Sequence, residues 1–246
     1  MFAHPDDEAL LPEGVLARNA ASGGRTAVVT ATWASDSPRA AELADALAVL
    51  GASLPRMLGY GDARNPDAAP GRVRLVDAPL DEVIARLVAE IRQFQPDIVI
   101  GHDALGQMTG HPDHRRTHQA TVLAVEAAAL PGLHPEAGKP WTVGALYAVT
   151  HPDSGVSDLA PLLAGVGKSL LTVPDAYVTA TVDVTPQMGR KWAAIRAHRS
   201  QLERPRPLPA LLDRLGEPVR ARILGTEFYT RIKLAPGGGA GRLGEL

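Results

Sequence analysis

"LDEVIARLVAEIRQFQPDIVIGH", residues 80–102, sets two periodicities back to back. Leu80, Val83, Ile84, Leu87, Val88, Ile91 and Phe94 recur at helical spacing until Pro96, which has no amide to continue the pattern. "DIVIGH" follows as a buried strand. A helix running straight into such a strand is the unit from which α/β folds are repeated.

Working outward, the same alternation recurs. Residues 12–21 read as a short helix ended by Gly23-Gly24, and "RTAVVTAT" as a buried strand. Ser37-Pro38 is a strong helix start, with Leu43, Leu47 and Leu50 on one face and Gly51 at the close. "LPRMLGY" reads as a strand weakened by Pro55. Beyond the opening stretch, residues 112–130 read as a helix, "TVGALYAV" as a strand and residues 151–175 as an irregular surface excursion. "AYVTATVDV" reads as a strand, "PQMGRKWAAIRAHRSQL" as one helix and "EFYTRI" as a last strand. The expected fold is α/β, a Rossmann-like open and mostly parallel sheet with helices on both faces. Residues 1–236 are expected to form a single domain, and the Gly-rich residues 237–246 a flexible tail.

Composition narrows the function classes. Lys and Arg number 25 against 27 for Asp and Glu, so no basic excess advertises nucleic acid or an anionic membrane. Without cysteine, any metal must be held by His and carboxylate. No apolar run approaches a membrane span and no leader pattern precedes the first motif, so a cytoplasmic protein with a small-molecule partner is expected. Assembly into a homo-oligomer is left open.

Two titratable clusters stand at the ends of strands, where loops of such a sheet converge on one crevice. "AHPDDE" leaves the first strand, and "GHDALGQMTGHPDH" leaves the strand that ends the opening stretch. His4 and Asp7 are spaced so that a turn at Pro5 can aim both at one ion, with Asp6 directed at a water beside it. A third imidazole comes from His111 or His114, completing a three-ligand site with an open position. Asp6 is then the base for metal-assisted hydrolysis of an amide or ester, and the remaining histidine, held and kept charged by Asp113, stabilises the oxyanion. The bland alternative makes Asp6, Asp7 and Asp113 helix caps. His118 is read as outlying, His102 and Asp103 as structural hydrogen-bonding residues, and the third "HPD" at His151 as a turn. Only Met1, Phe2 and Ala3 precede His4, fewer than the five or six residues of a typical strand, so the first strand is expected to be cut short.

With both clusters in place, the chain resembles the PIG-L/LmbE-like family of zinc-dependent N-deacetylases, which includes enzymes acting on N-acetylglucosaminyl precursors of mycothiol and bacillithiol. "AHPDDE" and "GHPDH" carry the resemblance, joined by "RAAELADALAVLGA", "LGYGD" and "KWAAIRAHRSQ". It implies His4, Asp7 and His114 as metal ligands for Zn2+, Asp6 as general base, His111 as oxyanion stabiliser and acid oriented by Asp113, and Arg39 and Asp62 as contacts to sugar hydroxyls. The implied substrate is an acetylated amino sugar. Thr109 and Gly61 depart from the pattern, standing where relatives carry Tyr and Arg. An iron(II) oxygenase built on the same ligands, and a non-catalytic sugar-binding protein, are the alternatives.

Overall fold

A computed structural model of the chain describes residues 1–234; the expected tail, 237–246, lies outside them. The first two helices are α1 (Asp7–Leu10) and α2 (Glu13–Ala21). Then β1 (Val29–Thr32), α3 (Pro38–Leu50), β2 (Arg56–Tyr60), α4 (Leu80–Phe94), β3 (Ile98–Gly101), α5 (Pro112–Ala128) and β4 (Ala145–Thr150) alternate.

Local signals act as read. The Ser37 side chain accepts the Ala40 amide at the start of α3, and Gly51 closes that helix with φ 73, a conformation open to glycine without a Cβ penalty. Helix α4 ends at Gln95, one residue before Pro96. Beyond β4 lie α6 (Leu159–Ala164), β5 (Ala180–Asp183), α7 (Met188–Ala197), α8 (Arg199–Leu202), α9 (Leu208–Asp213), α10 (Glu217–Leu224) and β6 (Thr226–Leu234).

Strand β1 pairs with β2 and β3 with β4, both parallel, while β6 runs antiparallel between β4 and β5. Residues 1–3 join the two ladders. Phe2 bridges Thr30 in parallel, and the Met1 amino group donates to the Ile100 carbonyl at 2.6 Å. The sheet order is therefore β2, β1, residues 1–3, β3, β4, β6, β5. Helices α4 and α5 pack Leu87, Val88, Ile91, Ala120 and Ala124 on one face. Helices α2, α3 and α7 pack Val15, Leu43, Leu47 and Ile195 on the other, which covers the sheet on both sides.

Two segments differ from their sequence reading. Residues 151–175 are not wholly a surface excursion: α6 places Leu159 and Leu163 one turn apart, and both are buried against Met108 and Leu211. The helix expected through residue 202 breaks at His198, whose ψ of 64 leaves the helical region between α7 and α8. The following residue pair is caught from outside, because Glu42 accepts both the amide and the hydroxyl of Ser200, at 2.8 and 2.7 Å.

Candidate metal centre

Four loops at the carboxyl ends of strands meet at one point, as the topology requires. Residues 4–8 follow the short first segment, Trp33 follows β1, Gly61 and Asp62 follow β2, and residues 102–114 follow β3. The first loop folds on its own carboxylates. Asp7 accepts the His4 amide at 2.8 Å and Glu8 accepts the Asp6 amide at 3.0 Å. Asp6 stands before α1 with φ 125, a strained value for a residue with a Cβ.

Capping does not explain the aspartates. Asp6 makes no side-chain capping bond among the described residues, and pairs with Arg39 at 2.9 Å. The cap of α5 is His111, whose Nδ1 accepts the Asp113 amide at 3.2 Å.

Three donors face one another. His4 Nδ1 lies 3.1 Å from His114 Nε2 and 3.5 Å from an Asp7 oxygen, and His114 Nε2 lies 3.4 Å from the other Asp7 oxygen. Ligands held about 2.0–2.2 Å from a tetrahedral ion stand roughly 3.3–3.5 Å apart, so this triangle fits a metal. The back of His4 is arranged to match: Nε2 lies 3.2 Å from Asp113 and 3.3 Å from Asp62. A carboxylate behind an imidazole fixes its tautomer and leaves the opposite nitrogen free to ligate. The described residues offer three neighbouring sets as well: His4, His111 and His114; His4, Asp62, His111 and Asp113; and Asp7, His102 and His114.

Charge in the metal-free site follows from these contacts. Burial alone would lower His4, but the Asp113 hydrogen bond and Asp7 outweigh it and hold the ring at about 10. Burial works to raise Asp7, yet His114 and His102 hold it well below the usual carboxylate range. Asp6 is pushed up by burial against the pull of Arg39. Burial and the positive neighbours His4 and His114 press His111 down to about 3. In the metal-free site this favours the neutral ring, and an Nδ1 that accepts the Asp113 amide leaves Nε2 as the nitrogen able to carry the proton.

Other residues fall in places the sequence did not show. Asp113 lies 3.2 Å from His4 but 3.8 Å from His111, so the ring it braces is that of His4. Arg39 is turned inward: it donates to the Pro5 carbonyl, pairs with Asp6 and lies 4.6 Å over the Trp33 ring. Asp62 accepts the amides of Arg64 and Asn65 at 2.7 and 3.1 Å, forming a turn, while its second oxygen faces His4. His102 accepts the Ala3 amide at 2.9 Å, as a structural residue would, and also stacks on His114 at 4.0 Å. His118 bonds the His102 carbonyl at 2.8 Å. His198 was missed: fully buried, it pairs with Glu8 at 2.7 Å. The only trace of it in sequence was "AHRSQ", a motif that interrupts the helix holding it.

Known proteins share this chain's sequence and its backbone. The family model described as PIG-L: GlcNAc-PI de-N-acetylase matches residues 1–125. A 1D-myo-inositol 2-acetamido-2-deoxy-alpha-D-glucopyranoside deacetylase of Geodermatophilus obscurus is 32% identical over 272 residues, covering 95% of this chain and 90% of that protein. Among solved structures, N,N'-diacetylchitobiose deacetylase from Pyrococcus horikoshii superposes with TM-score 0.64 at 22% identity, over 94% of this chain and 81% of that one. The 4-carboxy-2-hydroxymuconate hydratase of Pseudomonas putida reaches 0.65 at 18% identity, over 98% and 97%. The backbone is thus shared by hydrolytic and hydrating enzymes, and kinship has to be read from sequence: the extent of the match to the deacetylase sequences makes this chain a member of the PIG-L family.

Proposed function

We propose that the protein is a zinc-dependent hydrolase that removes acetyl from a small molecule containing N-acetylglucosamine. The observation that carries this is the convergence of His4 Nδ1, Asp7 and His114 Nε2 on one point beside an aspartate, Asp6, that caps nothing. A zinc ion held there would polarise the amide carbonyl and acidify a water toward neutrality.

The chain's own residues then divide the work. Asp6 takes the proton released as water attacks, and burial that raises its proton affinity suits it to a base. Arg39 fixes the Asp6 carboxylate from one side and Glu8 fixes its backbone amide from the other. His111, neutral with its proton on Nε2, serves as a hydrogen-bond donor to the developing oxyanion. A neutral imidazole is a poor acid, so the proton that Asp6 has accepted is the one delivered to the leaving amine. The carbon–nitrogen bond breaks, giving acetate and the free amino sugar.

Sugar recognition is assigned to Arg39 and Asp62 at the same mouth. Arg39 is buried at that mouth, with its Nε unpartnered among the described residues. The relative named above acts on a 2-acetamido-2-deoxyglucoside, which sets the substrate class proposed here. Neither nucleic acid nor a membrane enters this reading, and no helix among the described residues is long and apolar enough to cross a bilayer.

The test is acetate release from a panel of N-acetylglucosaminyl conjugates by zinc-loaded and iron(II)-loaded protein. Activity should vanish on thorough chelation and return with zinc. Turnover that survives metal removal, or a protein that hydrates double bonds but releases no acetate from any conjugate, would overturn the assignment.

A further inference from the structure

Around the metal centre gathers positive charge that the hydrolytic chemistry does not use. Arg64 stands at the Asp62 turn, two residues past the carboxylate that faces His4, and it is exposed. Its charge reaches His111 and joins His4 and His114 in pressing that ring down.

Two further segments tie to each other and to the loop that carries the metal-side histidines. Leu171 donates its amide to the Met108 carbonyl at 2.8 Å, and a Cβ at Gly110 would lie 3.0 Å from the Leu171 side chain. The stretch that holds Lys168 therefore runs against the residues just ahead of His111. Lys168 donates its ammonium to the Arg206 carbonyl at 3.0 Å, and Arg206 donates in return to the Val166 carbonyl at 3.0 Å. This cross-tie brings "RPRP", residues 204–207, to the same rim. Pro205 and Pro207 fix the backbone on either side of Arg206, so Arg204 and Arg206 are presented with little chain freedom left to lose. Both arginines are exposed.

The four charges act on one another. Burial lowers the Lys168 amine from its usual range, Arg206, Arg204 and Arg64 lower it further, and Asp6 pulls the other way. Asp6 is already paired with Arg39 at 2.9 Å. None of the four cations pairs with a carboxylate among the described residues, as Arg56, Arg74, Arg199 and Arg222 do elsewhere. Glu203, next to Arg204, forms no ion pair among the described residues either. In a chain whose net charge is -2, four unpaired cations at one opening create a local field that an anion would relieve.

Sugar chemistry carries a conjugate to this rim. In an N-acetylglucosaminide the reacting nitrogen is on the second ring carbon and the rest of the conjugate leaves from the first, so that group emerges one carbon away from the reacting centre. We propose that the group beyond the amino sugar is anionic, a phosphate or a carboxylate, and that Arg64, Lys168, Arg204 and Arg206 receive it. The inference rests on the hydrolase reading above and narrows its substrate class. Guanidinium forks and a mobile ammonium match the oxygens of either anion.

The experiment uses the zinc-loaded full chain and three N-acetylglucosaminides with short aglycones: 2-hydroxyethyl, carboxymethyl and 2-phosphoethyl. Dissociation constants come from calorimetry on the Asp6→Asn protein, and acetate release is followed in the parent. At about 50 mM salt, one anionic glycoside or both should bind at least about tenfold more tightly than the hydroxyethyl glycoside. That advantage should shrink at least threefold at about 500 mM salt, because the rim is open to solvent. The carboxymethyl and phosphoethyl arms tell which anion the rim selects. Arg64→Gln and Lys168→Gln, made separately, should each cut the advantage about threefold or more, and in acetate release the loss should fall on KM. Equal affinity for the three glycosides, or a preference that both substitutions leave intact, overturns the proposal. Selective binding of the anionic glycosides through Arg64 and Lys168 without acetate release from any of the three would sink the hydrolase reading and leave the anion site standing.

Discussion

At the mouth of the sheet, His4, Asp7 and His114 turn their nitrogens and oxygens toward one another. Around the start of α2 a second group is just as densely charged and more deeply buried. There Lys191 donates to Glu227 at 2.6 Å, Tyr229 donates to the same carboxylate at 2.6 Å, and the amides of Gly14 and Val15 donate at 2.8 and 3.2 Å. Each acceptor of Glu227 meets donors, and the cluster ties α2, α7 and β6 together. Gly14 makes the approach feasible, since a Cβ there would lie 2.3 Å from Val184. The contrast separates two meanings of buried charge. A set whose groups satisfy one another holds the fold, and a set whose lone pairs meet at a common point asks for a ligand.

The largest effect is expected from Asp6→Asn. If the mouth cluster is chemical, turnover should fall by about 10²–10⁴-fold while zinc content per chain stays unchanged. Retained turnover would move the base elsewhere. The matching change in the other cluster is Lys191→Met, which leaves Glu227 charged and buried without its cation. Unfolding in urea should show a loss of about 3–5 kcal/mol, with turnover per folded molecule within about twofold of the parent. A larger activity loss at full stability would make Lys191 part of the site.

Between the two lies the pair that connects loop to helix. Glu8 accepts the Asp6 amide with one oxygen and faces His198 with the other, 2.7 Å away. Glu8→Gln keeps the shape but weakens both bonds, and the strained Asp6 backbone should relax. A fall in kcat of about tenfold with KM and zinc content unchanged is expected. A change in KM alone would place Glu8 in substrate binding.

What could be read from sequence followed from locality. Leu80 to Phe94 announce α4 because helical spacing is a local pattern, and Ser37-Pro38 announces α3 for the same reason. The meeting of His4, Asp7 and His114 was legible because His4 and Asp7 sit in one loop and His114 sits in another that the topology brings to the same edge. Pairings between distant segments were not legible. Nothing near Arg39 says that it turns onto Asp6, and nothing near Asp113 says that it braces a histidine 109 residues away. The antiparallel placement of β6 between β4 and β5 likewise depends on contacts that no local pattern encodes. The satisfied cluster was invisible altogether, because Lys191 and Glu227 lie 36 residues apart and Gly14 and Glu227 lie 213 apart.

Glu13 tests the comparison most finely, because it belongs to the satisfied cluster by place and departs from it by bonding. Its two carboxyl oxygens are buried without a hydrogen-bond partner among the described residues. Burial pushes the carboxyl up to about 8, with Lys191 opposing and Glu227 reinforcing the rise. The folded chain therefore keeps a proton on Glu13 over a pH range in which the unfolded chain, with an ordinary carboxyl near 4.5, has lost it. The group's contribution to stability is complete below the unfolded value and declines as pH rises toward about 8. Glu13→Gln removes that titration. Relative to the parent, the variant should gain about 3–4 kcal/mol between pH 5 and pH 8, read as the change in the difference between their urea unfolding free energies. A difference that stays constant over this range would mean that Glu13 is already matched in solution, and that the second cluster is satisfied throughout.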